Sequence, residues 1–179
     1  MRCFVSVNVD DKAIVGKIKK FQEGLKYSGI NLVPQSNFHF TLRFLGEIDH
    51  QTVNEAIKML EGISYGKFNM ELKGVGVFPN ERMIRVIWIG SPSSELIRLA
   101  ELVNSSLADI GKSEENFIPH LTVARVKYIR DREALLNYIS SNRDAEFGNM
   151  NVNEFSLMKS ELTPRGPIYT ELKKFNLLK

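Results

Sequence analysis

His39-Phe40-Thr41-Leu42 and His120-Leu121-Thr122-Val123 repeat one pattern, His-x-Thr-x, at two places that lie 81 residues apart. Each copy lies in an apolar run that predicts a β-strand. Because side chains alternate between the two faces of a strand, the His and Thr of each copy point to the same face. Two of the three histidines in the chain occupy these matched settings. If the two strands meet in space, two imidazoles and two hydroxyls converge on one pocket.

The elements predicted around each copy follow one order: strand, helix, strand, motif strand, helix, strand. Asp10, Asp49 and Asp131 are candidate caps of the first, second and fourth helices, and the first helix is expected to close near Gly29. The third helix is expected from about Ser93 to Ile110. The predicted strands are 2–9, 30–33, 38–45, 67–73, 83–89, 117–126, 151–159 and 167–175, with a Gly- and Pro-containing bend at 74–80 and a loop at 111–116.

This repeated order predicts an internal pseudo-duplication within a single domain that spans residues 1–179. Mixed connections between strands and helices favour an α+β fold with antiparallel sheets and helices on the outer faces. The motif spacing is close to half the length of the chain, which is the separation that a duplicated unit would give.

The composition narrows the class of protein. A chain with 43% hydrophobic residues can bury a core, and no apolar run approaches the roughly 20 residues that span a bilayer. The start of the chain does not resemble a signal peptide, and the single cysteine forms no internal disulfide, so a cytoplasmic location is expected. A net charge of +3 favours a small anionic group or a single nucleic-acid strand as the partner. Oligomeric state is left open.

The paired motifs suit acid–base chemistry at a phosphate. Histidine has an ordinary pKa near 6.5, so one imidazole can accept a proton while the other donates one. Threonine hydroxyls can donate hydrogen bonds to phosphate oxygens. A strained cyclic phosphodiester suits this equipment, because the attacking water loses a proton and the leaving alkoxide gains one. The sequence contains no metal-ligand cluster, so we expect no metal and no cofactor.

Several stretches together resemble the two-histidine (2H) phosphoesterase superfamily, and within it the RNA 2′,3′-cyclic phosphodiesterases, historically called 2′-5′ RNA ligases. The resemblance covers essentially the whole chain. It rests on the opening strand Arg2–Val7, HFTLRFLG at 39–46, GVFP at 76–79 followed by VIWIG at 86–90, HLTVAR at 120–125, and the closing segments 160–162 and 166–169.

The resemblance implies a bilobal fold with a central cleft between two antiparallel sheets, one motif from each lobe, and hydrolysis of a 2′,3′-cyclic phosphate to a 2′-phosphate. It implies that His39 is the general acid and His120 the general base, although pseudo-symmetry leaves the reverse order open. It further implies that Thr41 and Thr122 hold phosphate oxygens. Two more positions match the family: Arg125 as a phosphate-binding arginine and Phe44 as an aromatic that stacks on the terminal base.

Strict alternation raises a problem, because Arg125 and Phe44 each lie five residues after their histidine and so point to the opposite strand face. Either a bulge or the end of the strand after each Thr would return them to the cleft. Arg43 has the correct parity, and we expect either a second phosphate or RNA contact or a solvated side chain.

Structural roles are expected for the remaining residues of interest. His50 is expected to be solvated or to cap a helix, and Trp88 to lie in the core. Phe78 and Pro79 are expected in a structural bend, although they could line the cleft. Cys3 is expected to be a small buried hydrophobic residue.

Three functions remain open. The first is metal-independent hydrolysis of RNA 2′,3′-cyclic phosphate ends. The second is joining or cleavage of 2′-5′ linkages, with tRNA halves or oligonucleotides as substrates. The third is an RNA-end-binding module without turnover. The presence of both histidines, both threonines and Arg125 favours an enzyme.

Overall fold

The computed structural model describes residues 1–112 and 116–179, so residues 113–115 of the expected loop lie outside the described part of the chain. Within the described residues the helices are α1 (Lys12–Glu23), α2 (His50–Glu61), α3 (Ser94–Ser106) and α4 (Arg132–Ser141), and a short 3₁₀ turn spans Gln35–Asn37. The strands are β1 (Arg2–Asn8), β2 (Ile30–Leu32), β3 (His39–Glu47), β4 (Phe68–Lys73), β5 (Val75–Asn80), β6 (Met83–Gly90), β7 (His120–Val126), β8 (Glu146–Val152), β9 (Glu154–Thr163) and β10 (Gly166–Asn176).

The strands form two four-stranded sheets and one two-stranded sheet. The first sheet has the order β10-β9-β1-β3, the second β2-β7-β6-β5, and β4 pairs with β8. The strand pairs within these sheets are antiparallel. The α+β prediction with one motif on each of two antiparallel sheets is therefore confirmed, and the small β4–β8 sheet is an addition that the sequence did not indicate.

The two halves of the chain repeat one order of elements and exchange strands. The order β1-α1-β3-α2-β4-β5 recurs as β6-α3-β7-α4-β8-β9, with β2 and β10 added. In the first sheet β9 from the second half pairs with β1, and in the second sheet β5 from the first half pairs with β6. The helices follow the same exchange, since α1 packs on β7 and β8 whereas α3 packs on β3 and β4. We infer from this exchange that neither half would fold alone and that the chain is one domain.

Each helix begins at a side chain that accepts hydrogen bonds from the first turn. Asp49 and Asp131 do so as predicted, and Ser93 caps α3. The prediction for α1 was wrong by one residue, because the carboxylate of Asp11 accepts the bonds from the first free N–H groups. α1 also ends at Glu23, before the expected stop.

Two strands differ from the prediction. The expected bend at 74–80 is mostly strand β5, which is an edge strand, and Pro79 is tolerated in such a strand because one of its sides has no partner in the sheet. Strand β8 was not predicted because its Gly and Asn residues have low strand propensity. The motif strands begin at the histidines themselves, after Phe38 and Pro119.

Both halves contribute buried side chains to one continuous hydrophobic cluster. Cys3 is fully buried within it, as expected. None of the helices in the described ranges is long and apolar enough to cross a membrane.

Candidate active site

β3 and β7 lie next to each other across the boundary between the two large sheets, and their motif histidines line one cleft of about 660 Å³. The prediction that the two strands meet in space is therefore confirmed. The cleft has an apolar and aromatic wall and a polar centre. Its lining residues are Arg2, Phe4, His39, Thr41, Phe44, Gly46, Phe78, Val86, His120, Thr122, Arg125, Ser160, Leu162, Pro167 and Tyr169.

The His39 ring is fixed through its Nδ1 atom. Nδ1–H donates to the carbonyl oxygen of Asn37 at 2.7 Å, because a carbonyl can only accept. Nε2 faces the cleft and lies 3.0 Å from the hydroxyl oxygen of Thr41. In the neutral ring Nε2 carries the lone pair, so the Thr41 hydroxyl donates to it. The amide of Asn37 also donates to the carbonyl oxygen of Pro167 at 3.1 Å, which links the histidine to the β9–β10 hairpin.

His120 is held in the same manner. Its Nδ1–H donates to the carbonyl oxygen of Ile118 at 2.8 Å. In both motifs the accepting carbonyl belongs to the residue two positions before the histidine, so the backbone selects the same tautomer twice. Both Nε2 atoms are therefore available for proton transfer.

Aromatic rings pack against both imidazoles. The ring centroid of His39 lies 5.0 Å from that of Phe4 and 5.2 Å from that of Tyr169. The ring centroid of His120 lies 4.9 Å from that of Phe78, in an edge-to-face arrangement. Rings at these separations restrict the orientations that an imidazole can adopt.

Trp88 packs behind Phe78, beside the site, and corrects a prediction. Its ring is half-buried and stands 6.5 Å from the ring of His120, so it lies beside the site rather than in the core. Gly76 makes this position accessible, since a Cβ atom there would lie 2.2 Å from the indole. Phe78 lines the cleft, the alternative that the sequence left open.

A bulge follows the first motif. Thr41 and Arg43 pair with the adjacent residues Ser6 and Val5 of β1, so Leu42 is an extra residue on β3. An extra residue shifts the alternation of side chains by one position.

A bulge at the equivalent position follows the second motif. Thr122 and Ala124 pair with the adjacent residues Trp88 and Ile87 of β6, so Val123 is the extra residue on β7. Of the two possibilities left open by the sequence, a bulge after each Thr is therefore confirmed.

The bulges return Phe44 and Arg125 to the face of their histidines. Half of the Phe44 surface is exposed, and both side chains line the cleft. Burial raises the pKa of the Tyr169 hydroxyl, and the nearby guanidinium of Arg125 opposes this rise.

Arg43 is the site residue that the structure places elsewhere. Its side chain is fully buried, away from the cleft. It donates to Asn104 Oδ1 at 2.9 Å and to the carbonyl oxygen of Ile110 at 2.6 Å. Both expectations for Arg43, a substrate contact and a solvated side chain, were wrong because the bulge moves this position to the core face.

Burial affects the protonation of His39. Removal from water lowers the pKa of His39 from 6.5 to about 4, and the positive charges of His120 and Arg125 act in the same direction, while the bond to Asn37 opposes them. His39 is thus neutral near pH 7 in the unliganded protein. His50 is exposed at the start of α2, outside the cleft.

The donor set of the cleft consists of imidazoles, hydroxyls and guanidinium groups. Among its described lining residues there is no Asp or Glu. In the described ranges, no group of three or more His, Cys, Asp or Glu side chains is close enough to hold a metal ion.

Sequence reasoning assigned no role to Phe4 and Tyr169, although both pack on His39. Both occur in segments that carry the family resemblance, so the resemblance was the available signal. Phe4 lies 35 positions and Tyr169 lies 130 positions from His39 in the sequence, so no local pattern predicts that they pack on it.

Comparisons with known proteins agree in family and fold. A family model described as LigT like phosphoesterase matches the chain twice, over residues 9–88 and 89–169. An RNA 2′,3′-cyclic phosphodiesterase from Methanocaldococcus jannaschii is 38% identical over 176 residues, which cover 98% of this chain and 100% of that protein. The crystal structure of TT0787 of Thermus thermophilus matches with a TM-score of 0.85 at 29% identity and covers 98% of this chain and 97% of that one. The structure of Escherichia coli LigT complexed with 3′-AMP has a TM-score of 0.80 at 25% identity, with coverage of 99% and 98%.

Proposed function

The chain belongs to the LigT like phosphoesterase family, and on that premise we propose that it hydrolyses 2′,3′-cyclic phosphate ends of RNA to 2′-phosphates. One observation carries the proposal: two histidines present Nε2 to the same cleft, each fixed through Nδ1 and each followed by a threonine on the same side. This arrangement provides a proton acceptor on one side of a phosphate and a proton donor on the other.

In the proposed reaction a water oxygen attacks phosphorus while the bond between phosphorus and the 3′ oxygen breaks. One imidazole takes a proton from the water, and the other gives a proton to the departing 3′ oxygen. The product carries a 2′-phosphate and a 3′-hydroxyl, and one water is consumed. The two histidines finish with exchanged protonation states and re-equilibrate with solvent.

The resemblance assigns the acid role to His39 and the base role to His120. A general acid must carry a proton, whereas the lowered pKa of His39 leaves it neutral in the unliganded protein. A phosphodiester anion between the two rings would raise this pKa, because an opposite charge favours the protonated ring. A ¹⁵N NMR titration of His39 with a nucleotide 3′-monophosphate would decide: an upward pKa shift supports the acid role, and no shift reverses the assignment.

We assign the remaining cleft residues by chemistry. The hydroxyl of Thr122 donates to a non-bridging phosphate oxygen. The hydroxyl of Thr41 does so once His39 is protonated, because a protonated Nε2 no longer accepts its hydrogen bond. The guanidinium of Arg125 offers paired donors to the same oxygens and gains strength from its charge. The exposed ring of Phe44 is placed to stack on the terminal base, a contact worth about 1–3 kcal/mol in proteins that bind single strands.

The proposed reaction uses neither a metal ion nor a cofactor, because imidazoles perform both proton transfers. The substrates include tRNA fragments that carry a cyclic end. We propose action in the cytoplasm, where the single buried Cys3 would stay reduced.

The test is incubation of an RNA oligonucleotide that ends in a 2′,3′-cyclic phosphate, with EDTA present, followed by chromatography of the product against standards with 2′- and 3′-phosphate ends. Formation of the 2′-phosphate supports the proposal, and the His39→Ala/His120→Ala double variant is the control. A 3′-phosphate product would contradict the assigned leaving group. Activity that disappears with EDTA would contradict metal independence.

An untouched cyclic end would redirect the assignment. Cleavage or joining of a 2′-5′ linkage under the same conditions would then identify the second function considered above. Tight binding without any product would identify an RNA-end-binding module.

A further inference from the structure

A second groove of about 680 Å³ joins the cleft at its polar centre. We call it the side groove and define it by Ile30–Pro34, Asn37, Lys127 and Thr163–Gly166, together with residues that it shares with the cleft. The shared residues are His39, Thr122, Arg125, Pro167 and Tyr169. Any group held between the two histidines therefore lies at the junction of two channels.

The two channels differ in chemistry. The cleft beyond the junction is lined mainly by aromatic and aliphatic side chains, and Arg2 is the one Lys or Arg in that part of its described lining. The side groove is lined by three cations, Arg125, Lys127 and Arg165, and by no acidic residue among its described lining. None of these three cations is within ion-pair distance of a carboxylate in the described ranges. Exposed cations without acidic partners mark a site for anions.

The cations are spaced along the groove. Arg125 and Lys127 are two residues apart on the same side of one chain segment, which corresponds to about 7 Å in extended conformation. That distance is comparable to the separation of neighbouring phosphates along an extended nucleic-acid strand. The backbone N–H of Lys127 donates to the carbonyl oxygen of Gly29 at 2.7 Å, so the extended pairing continues past the end of β7.

Arg165 stands on the opposite wall, in the turn of the β9–β10 hairpin. This turn is fixed internally, because the hydroxyl of Thr163 donates to the carbonyl oxygen of Gly166 at 2.6 Å and accepts from the N–H of Arg165 at 3.2 Å. Cations from the segment at the end of β7 and from the β9–β10 turn therefore line the same channel.

We propose that the side groove binds the RNA backbone on the 5′ side of the terminal nucleotide, with Lys127 and Arg165 contacting its phosphates. This inference rests on the proposed function, since the reactive phosphate occupies the junction. The terminal base then lies in the aromatic cleft, and the remaining chain leaves through the side groove. A third, smaller pocket of about 210 Å³ also reaches His39 and Tyr169, but its described lining includes Asp10 and no Lys or Arg, so it does not suit a phosphate backbone. The protein is in this way built for the end of a chain and not for a free mononucleotide.

The experiment compares kcat/KM for adenosine 2′,3′-cyclic monophosphate with that for an RNA hexanucleotide that ends in adenosine 2′,3′-cyclic phosphate. The Lys127→Gln/Arg165→Gln variant is expected to lower the ratio of hexanucleotide to mononucleotide about tenfold, chiefly through the KM of the hexanucleotide. For the hexanucleotide, the dependence of log(kcat/KM) on log salt should become shallower by about 0.7 for each phosphate that the variant no longer binds.

The control is Lys17→Gln/Lys20→Gln, which removes the same charge from the exposed side of α1. The inference is overturned if the ratio of hexanucleotide to mononucleotide kcat/KM is unchanged in the groove variant, or if it falls equally in the control. Turnover of the mononucleotide would still support the proposed function in either case. If the wild type hydrolyses neither substrate, the proposed function fails. Anisotropy with a labelled hexanucleotide that ends in a 2′-phosphate then tests the groove alone, and equal affinity of wild type and groove variant would overturn it.

Discussion

Strands β3 and β7 have the same pattern of backbone and burial, and the chemical class of the side chain differs between them at two positions. Over residues 39–45 and 120–126 the order of burial is identical, including two consecutive buried residues at the bulge. The fifth position is Arg43 in one strand and Ala124 in the other, and the sixth is Phe44 in one and Arg125 in the other. The shared backbone fixes where the side chains point, while the sixth position holds the ring proposed to bind the base in one strand and the guanidinium proposed to bind the phosphate in the other.

The residues at the fifth position differ in their structural role. The guanidinium of Arg43 connects β3 to Asn104 of α3 and to the carbonyl oxygen of Ile110. Ala124 is buried at the matching place without a side-chain hydrogen bond to offer. The two equivalent motifs are therefore backed by different packing. A buried guanidinium with polar contacts follows the first motif, and a small apolar side chain follows the second.

The largest effect is expected at the feature that β3 and β7 share, the motif histidine. Substitution of either motif histidine by alanine should lower kcat about 10²- to 10⁴-fold, because in the proposed reaction each supplies one of the two proton transfers. Initial rates on RNA with a cyclic phosphate end would measure this loss. The control is His50→Ala at the exposed start of α2, which should retain full activity. Near-normal turnover in either motif variant would show that the two strands do not share the chemistry.

The fifth position should separate stability from activity. Arg43→Met should lower the free energy of unfolding by roughly 3 kcal/mol, because it leaves buried acceptors on Asn104 and Ile110 without a charged donor. Urea unfolding measures the loss. Arg98→Met is the matched control on the surface of α3, with an expected change below about 1 kcal/mol. If Arg43→Met raised KM and left the free energy of unfolding unchanged, Arg43 would act in the cleft and not in the core.

The sixth position should show the opposite result. Arg125→Gln should lower kcat/KM about 30-fold, which corresponds to about 2 kcal/mol, because a charged donor to the phosphate is removed. Its free energy of unfolding should stay within roughly 0.5 kcal/mol of the wild type, since the side chain is exposed. Arg125→Lys should recover only part of the activity, because it restores charge without the paired donors. Equal loss in both variants would mean that charge alone is insufficient.

The burial of His39 predicts a smaller effect that depends on pH. The unfolded chain accepts a proton on this residue near pH 6.5, but the folded protein does so only near pH 4. Folding stability should therefore fall as the pH drops through this window, by on the order of 1–2 kcal/mol for a half-buried ring. Urea unfolding of wild type and His39→Gln at several pH values would reveal the difference. Parallel stability curves for the two proteins would contradict the lowered pKa.

The sequence predicted what depends on local pattern and on the repeated motif. Alternation placed each histidine and threonine on one face, and the family resemblance placed Arg125 and Phe44 in the cleft. The prediction for Arg43 was wrong because its face was counted along an unbroken strand, whereas the bulge that returns Phe44 to the cleft also turns Arg43 towards the core. The exchange of β5 and β9 and the packing of Phe4 on His39 depend on contacts distant along the chain. Trp88 was assigned to the core because an apolar strand does not reveal which face meets a cleft.

The position of Trp88 makes the protein its own optical probe. It is the single tryptophan of the chain, and its ring lies on Gly76 beside His120. Excitation in the red edge of the absorption band therefore selects one fluorophore, and that fluorophore lies beside the cleft, next to the ring of His120. Its emission should respond to the charge on the neighbouring imidazole and to displacement of solvent from the cleft. Nucleotide occupancy can thus be followed in the unlabelled protein, on the timescale of a stopped-flow mixer.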